Sequence, residues 1–162
     1  MSIQVGDKLP SVTLHQMLDN KVTPCPSDEL FAGKKVILFA LPGAFTPTCS
    51  AHHVPGFLVR SDEIFAAGID QIVCLSVNDA FVMHAWGVSQ NVEDKILMVA
   101  DGSAEFTSAI GLTLDLVAAG MGVRSQRYAM IINDGVVETL NVEEGGEFKV
   151  SDADSMLAAL KG

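Results

Sequence analysis

The chain has 162 residues, of which 49% are hydrophobic, and it carries a formal net charge of −10 at pH 7. This length predicts a single domain, residues 1–162, and the acidic charge argues against nucleic acid or an anionic membrane surface as a partner, because both are bound through basic patches. The chain's three cysteines do not suit a secreted disulfide scaffold, and its N-terminus lacks the pattern of a signal or transit peptide, so we expect a cytoplasmic location.

The N-terminal part of the chain is predicted to form a hairpin and then a short helix. Hydrophobic residues alternate weakly up to Val22, and Asp19-Asn20 is typical of a turn, so we expect a hairpin laid over the main fold. Pro24-Cys25-Pro26 is predicted to be an extended, exposed connection, because each proline restricts its own backbone and that of the residue before it. A short helix over residues 27–31 should end at Gly33.

The next segment is predicted to be a buried strand, residues 34–40, followed by a loop and a long helix, residues 47–67. Pro42-Gly43 is a turn signal in the loop. The helix should bend near Pro55-Gly56, because a proline removes a backbone hydrogen bond.

The start of that long helix holds the candidate nucleophile. Thr46 is a good N-cap residue, and Pro47 suits the first helical position, where its missing N–H costs nothing. Cys49 therefore falls in the first turn, near unpaired backbone N–H groups and the positive end of the helix dipole. Both features favour the thiolate, which is the nucleophilic form of cysteine.

Strands and helices alternate through the rest of the chain. In order we predict a buried strand (69–77), a helix (80–90), a strand (96–100), a short helix (103–110), a segment ambiguous between helix and loop (112–123), a hairpin (128–140) turning at Asp134-Gly135, and a C-terminal helix (152–160) capped by Ser151. In the helix over residues 80–90, Phe81, Ala85 and Val88 lie on one face. This order predicts a thioredoxin-like α/β fold, with a mixed central sheet, helices on both faces and an N-terminal hairpin extension.

A dithiol oxidoreductase of this fold needs a second cysteine three residues before the first, and here that position is Thr46. Disulfide exchange through such a pair is therefore excluded. A hydroxyl one helical turn from a thiolate can instead hydrogen-bond the sulfur or an oxygen of the substrate, which suits a small, polarised oxygen substrate. The sequence has no metal-ligand spacing such as CxxC or HExxH, and no nucleotide-binding glycine motif.

The chain resembles the peroxiredoxins, and in particular their type II branch. The motif Pro42-x-x-x-Thr46-x-x-Cys49 is similar to the family's active-site signature, and further similar segments occur in order along nearly the whole chain. These segments are Pro42 to Ser50, His53 with Pro55-Gly56-Phe57, Leu75 to Val82, Trp86-Gly87, and Arg124 with Arg127 to Met130.

The resemblance implies a role for each matching residue. Cys49 would be the peroxidatic cysteine, which attacks the peroxide O–O bond and becomes a sulfenic acid. Thr46 would hold the peroxide through its hydroxyl, and Pro42 would shield the site from water. Arg127 would stabilise the thiolate and the charge that develops as the bond breaks, with Arg124 as the alternative cation. Main-chain N–H groups near Thr48 and Cys49 would complete the anion site.

Four further residues near these motifs are interpreted individually. His53, one turn after Cys49, could tune the site, although packing, capping or solvation is favoured. His52 is predicted to be a solvated surface residue. Phe45 and Trp86 are interpreted as packing residues at or near a subunit contact.

The resemblance leaves open how the oxidised cysteine is reduced. Cys74 lies in the middle of a predicted strand, where cysteine is usually a small core residue, yet plant type II enzymes carry a cysteine at this place that has been considered a resolving partner. The late resolving cysteine of the mammalian form is absent, since residues 147–151 contain none. Cys25 matches no catalytic position. We therefore expect external reduction by glutathione with glutaredoxin, or else by thioredoxin.

The sequence thus predicts a peroxidase for hydrogen peroxide and small alkyl hydroperoxides that uses no metal, haem or flavin and acts in antioxidant defence. A homodimer is expected from the family and from the apolar composition. The competing hypothesis is a redox-sensing interaction protein, in which oxidation of Cys49 unfolds the first helical turn and signals to a partner.

Overall fold

A computed structural model describes residues 2–162, and its main feature is a seven-stranded mixed sheet. Three strands that run parallel, β3 (Lys35–Ala40), β4 (Gln71–Ser76) and β5 (Leu97–Ala100), form its centre. An N-terminal hairpin of β1 (Thr13–Leu18) and β2 (Lys21–Pro26) joins one edge beside β5. The hairpin of β8 (Tyr128–Asn133) and β9 (Val136–Val142) forms the other edge, beside β3.

Helices cover both faces of this sheet. One face carries α2 (Val54–Val59), α3 (Ser61–Ala66), α4 (Ala80–Ser89) and α6 (Ala153–Lys161), and the other carries α1 (Ser27–Phe31) and α5 (Glu105–Ala109). Successive side chains of β3 point to opposite faces, so Ile37 and Phe39 enter the first core while Leu38 and Ala40 enter the second. The predicted thioredoxin-like fold with helices on both faces is confirmed.

The N-terminal hairpin turns at Asp19-Asn20 as predicted, and both residues have positive φ, as a two-residue hairpin turn requires. Pro24-Cys25-Pro26 is extended and Pro24 is exposed, as predicted, but the prediction was wrong in treating the segment as a connection and Cys25 as exposed. These residues form the end of β2, and the Cys25 side chain is buried against Leu14 and Leu30 in the second core. A proline is tolerated there because β2 is an edge strand.

The long helix predicted over residues 47–67 is divided into three pieces. A π-helical turn over Cys49–His53 leads directly into α2, so the chain does not break at Pro55, which takes one of the first positions of α2. The helix is interrupted at Arg60, before α3. The predicted single bend near Pro55-Gly56 is therefore replaced by a π turn before it and a break after it.

The remaining differences concern faces and caps. Phe81 and Val88 share a face of α4 as predicted, but it is the solvent face, with the two side chains 65% and 64% exposed. Residues 112–123, left open by the sequence, form β6 (Thr113–Leu116), a 3₁₀ turn (Val117–Ala119) and β7 (Gly122–Ser125), which pair as a small separate sheet. Asp152, not Ser151, caps α6. No helix within residues 2–162 is long and apolar enough to span a membrane.

Candidate active site

The candidate site lies where the loop after β3 meets the π turn. Cys49 is the first residue of that turn and is fully buried. The first backbone hydrogen bond of this helical segment runs from Ser50 N to Thr46 O, so the N–H groups of Thr48 and Cys49 have no intrahelical acceptor. The structure thus places the sulfur and free backbone donors together, as the sequence predicted.

Arg127 lies immediately before β8, and its side chain reaches Cys49 from there. Its Nη2 atom donates a hydrogen bond to the Cys49 Sγ atom over 3.1 Å. Arg124, the alternative cation, points elsewhere: its Nε donates to the Met121 carbonyl at 2.7 Å and its Nη1 to the Pro42 carbonyl at 3.4 Å. The geometry therefore assigns the sulfur contact to Arg127 and leaves Arg124 as a support for the Pro42 loop.

The Thr46 hydroxyl does not cap the helix. It donates to the Gly43 carbonyl at 2.7 Å, across the turn that begins at Pro42. This bond fixes the direction of the hydroxyl hydrogen and leaves the oxygen lone pairs available to accept a hydrogen bond from a hydroperoxide. Pro42 and Thr46 are both half-buried beside the buried Cys49.

The loop that carries Thr46 is anchored by Asn78, which lies between β4 and α4. Asn78 Oδ1 accepts a hydrogen bond from Ala44 N at 3.0 Å and another from the Ser76 hydroxyl at 2.6 Å. Phe45, next in the loop, has a positive φ of 64°, an uncommon conformation for a bulky residue, and its ring lies against Trp86. Trp86 is a buried packing residue whose Nε1 donates to the Ser50 hydroxyl at 3.0 Å.

His53 belongs to the site, although the sequence favoured packing or solvation for it. Its Nδ1 atom lies 2.9 Å from Arg127 Nη1, and its Nε2 atom lies 3.0 Å from the Ser151 carbonyl. Burial, together with the neighbouring Arg127 charge, lowers the pKa of His53 from 6.5 to about 3. His53 is therefore a neutral ring at physiological pH. The sequence signals for it were its spacing from Cys49 and its place beside Pro55-Gly56-Phe57 in the family-like segment. His52 is exposed, as predicted.

Cys74 lies in the middle of β4 and is fully buried, paired in register with Phe39 and Met98. Burial raises the pKa of the Cys74 thiol well above its usual range, and a negative charge on nearby Cys49 raises it further. Cys74 therefore stays protonated in the folded state. Cys25 is also buried, and burial raises the pKa of its thiol. All three cysteines are free.

Comparison with known proteins identifies relatives along almost the entire chain. The family model described as Redoxin matches residues 4–157. Among curated proteins, the chain is 51% identical to peroxiredoxin-2B of Arabidopsis thaliana, over 98% of both chains. It is 52% identical to the chloroplastic peroxiredoxin-2E of the same plant, over 98% of this chain and 70% of that one. Among solved structures, it resembles reduced Prx3 of Vibrio vulnificus in complex with hydrogen peroxide, with a TM-score of 0.94, 57% identity and coverage of 98% and 99%.

Proposed function

The chain belongs to the redoxin family and, within it, to the type II peroxiredoxins, which are thiol-dependent peroxidases, and we propose that it reduces hydrogen peroxide and small alkyl hydroperoxides through Cys49. The observation that carries this proposal is the 3.1 Å hydrogen bond from Arg127 Nη2 to the Cys49 sulfur. A permanent cation at this distance stabilises the thiolate and the charge that develops on the peroxide as the O–O bond breaks.

In the first step, the Cys49 thiolate attacks one peroxide oxygen. An S–O bond forms, the O–O bond breaks, and the second oxygen leaves with the electron pair and takes up a proton to become water or an alcohol. The peroxide is reduced by two electrons and Cys49 is oxidised to a sulfenic acid. Thr46 accepts a hydrogen bond from the peroxide, the N–H groups of Thr48 and Cys49 face the developing negative charge, and Pro42 keeps bulk water away.

Reduction of the sulfenic acid is proposed to use an external thiol. Glutathione would condense with the sulfenic acid, releasing water and forming a mixed disulfide, and a second thiol from glutaredoxin or glutathione would release the Cys49 thiolate. The raised pKa of Cys74 and the lack of a cysteine in residues 147–151 both argue against an internal partner. Thioredoxin is the second candidate reductant.

Because Cys49 is fully buried, the protein must open locally before the sulfur of another molecule can reach it, and the segment proposed to open is the first helical turn. The turn over Cys49–His53 is a π helix, a geometry that is rare and often found at functional sites. The same opening would serve the competing function, a redox sensor that exposes oxidised Cys49 to a protein partner. Turnover separates the two, since a peroxidase consumes many equivalents of peroxide with a reductant, whereas a sensor reacts once.

We also propose that the protein is a cytoplasmic homodimer. Phe45, in the loop that carries Thr46, and Phe81, on α4, are exposed aromatic residues, and Val88 is a further exposed apolar residue on α4. Exposed apolar patches of this kind are typical of protein contacts.

The experiment that tests the peroxidase assignment is peroxide consumption with glutathione and glutaredoxin by three proteins. Wild type should turn over, Cys49→Ser should be inactive, and Cys74→Ser should retain most of the activity. Full activity in Cys49→Ser would refute the assignment. A large loss in Cys74→Ser would refute external reduction.

A further inference from the structure

Glu143 follows β9 and touches none of the proposed reacting groups, yet its side chain is only 7% exposed. Its carboxylate accepts hydrogen bonds from three successive backbone N–H groups, those of Lys149, Val150 and Ser151, at 2.8–3.0 Å, and from the Ser151 hydroxyl at 2.7 Å. Burial raises the pKa of Glu143, but these donors outweigh it and hold the pKa below its usual value. The carboxylate therefore stays ionised and ties residues 149–151 to β9.

The same residue is tied to the active-site arginine through the backbone. Glu143 N donates to the Arg127 carbonyl at 2.9 Å, which continues the pairing of β8 with β9. Gly145 and Gly146, both with positive φ, lie in the loop that leads from Glu143 to Ser151. Glu143 thus connects the backbone of Arg127 to the loop that lies over the Arg127 side chain.

The loop acts on His53 through the Ser151 carbonyl. Arg127 has only N–H donors, so the His53 Nδ1 atom, 2.9 Å from Arg127 Nη1, must be the acceptor. The ring proton is then on Nε2, and it is donated to the Ser151 carbonyl at 3.0 Å. The position of Ser151 therefore selects the tautomer that can accept a hydrogen bond from Arg127.

A second contact comes from Phe148 in the same loop. Its ring centroid lies 5.8 Å from Arg127 Cζ and 5.0 Å from the His53 ring. This is within the range of a cation–π contact. On its other sides His53 packs against Phe39 and Phe57, with ring centroids 4.9 and 5.7 Å away. The Arg127 guanidinium group is thus held by Phe148 of the loop and by the His53 ring, which its own neighbours keep in place.

We propose that Glu143 is a positioning residue for peroxide reduction: by holding the 149–151 loop it orients His53, and His53 in turn aims Arg127 at the Cys49 sulfur. The inference rests on the proposed peroxidase function and names a remote residue on which that site depends. Arginine has a long, flexible side chain, so one that donates to two acceptors at once loses alignment when either acceptor moves. Small misplacements of this kind reduce rates far more than they reduce stability.

The test compares Glu143→Ala and Glu143→Gln with the matched control Glu144→Ala, which removes the neighbouring exposed carboxylate. Rates of Cys49 oxidation by hydrogen peroxide are measured by stopped flow, and rates of Cys49 alkylation by iodoacetamide serve as a reference reaction without O–O cleavage. The nitrogen chemical shifts of the His53 ring are followed by NMR with ¹⁵N-labelled protein.

In Glu143→Ala we expect the rate of Cys49 oxidation by peroxide to fall about tenfold, which is more than the fall in the rate of alkylation. The NMR signature of His53 protonated at Nε2 should be lost. Glu143→Gln, whose amide oxygen can still accept from the loop N–H groups, should recover to within about threefold of wild type and keep the His53 signature. Glu144→Ala should match wild type. A folded Glu143→Ala with the wild-type peroxide rate, or with an unchanged His53 signature, overturns the proposal.

If Glu143→Ala does not fold, Glu143→Gln decides alone. An intact His53 signature with a near-wild-type rate, or a lost signature with a lowered rate, supports the proposal. An intact signature with a tenfold lower rate, or a lost signature with the wild-type rate, contradicts it. Failure of the peroxidase assignment would show differently, as wild-type protein whose peroxide consumption does not depend on Cys49.

Discussion

Arg127 Nη2 donates a hydrogen bond to Cys49 Sγ over 3.1 Å, although the two residues are 78 positions apart in the sequence. β3 and β8 are antiparallel neighbours, and Ala40 pairs with Tyr128 at the end where the Cys49 loop leaves the sheet. The register of two strands therefore sets the distance between cation and sulfur. Substitution of either residue should therefore lower the rate of peroxide reduction more than it lowers the stability of the fold.

Arg127→Lys should lower the rate of Cys49 oxidation by hydrogen peroxide about tenfold or more. A lysine ammonium is a single compact charge and cannot reproduce the planar fork that donates to both His53 and Cys49. The rate is measured by stopped flow under pseudo-first-order conditions. Arg124→Lys provides the comparison, because Arg124 contacts backbone carbonyls only, and its loss should be smaller. Equal losses in the two variants would contradict the assignment of the sulfur contact.

Thr46→Val should lower the same rate about tenfold to a hundredfold, whereas Thr46→Ser should stay within about threefold of wild type. Valine keeps the shape of threonine and replaces only the hydroxyl with a methyl group. That hydroxyl donates to the Gly43 carbonyl at 2.7 Å, which leaves its lone pairs free to accept a hydrogen bond. Urea unfolding of each variant controls for the lost Gly43 bond. Wild-type kinetics in Thr46→Val would show that the hydroxyl does not bind peroxide.

The stability of the protein should fall below pH 6.5 because of His53. The unfolded chain takes up a proton at this residue near pH 6.5, but the folded protein, with a pKa of about 3, does not. Unfolding therefore binds a proton between these values, and the free energy of unfolding should fall by about 1.4 kcal/mol per pH unit from this residue alone. The measurement is the free energy of unfolding in urea, from pH 7 to pH 4, for wild type and for His53→Gln. If the difference between the two free energies did not change with pH, the pKa of His53 in the folded protein would lie near its ordinary value.

Much of the fold follows from local sequence, because the buried strands, the Asp134-Gly135 hairpin and the helix at Ala80 depend on hydrophobic runs and turn chemistry. The parts that could not be predicted depend on contacts between distant segments. Cys25 is buried because the hairpin joins the sheet beside β5, and Ser151 is drawn from its expected capping role by Glu143. The roles of His53 and Glu143 depend on contacts with residues 149–151. The local sequence around either residue does not predict those contacts.

Phe81→Asp should convert the proposed homodimer into a monomer. Phe81 is 65% exposed on α4, the helix whose Trp86 lies against the exposed Phe45 ring, and a carboxylate buried in an apolar contact would be strongly unfavourable. Sedimentation velocity over a range of protein concentrations gives the oligomeric state. Val59→Asp is the matched control, since Val59 is an apolar residue on α2 that is even more exposed, at 79%. A dimer that survives Phe81→Asp, or one that Val59→Asp disrupts instead, would place the contact elsewhere.

The most direct test of the account is peptide mass spectrometry after one equivalent of hydrogen peroxide, with dimedone present to trap sulfenic acid. The account predicts a dimedone adduct on the peptide that contains Cys49, with Cys25 and Cys74 unmodified. If Arg127→Lys protein treated for the same short time lacked this dimedone adduct, the result would support the role of the Arg127 cation. A Cys49–Cys74 disulfide, or a first oxidation at any residue other than Cys49, would contradict it.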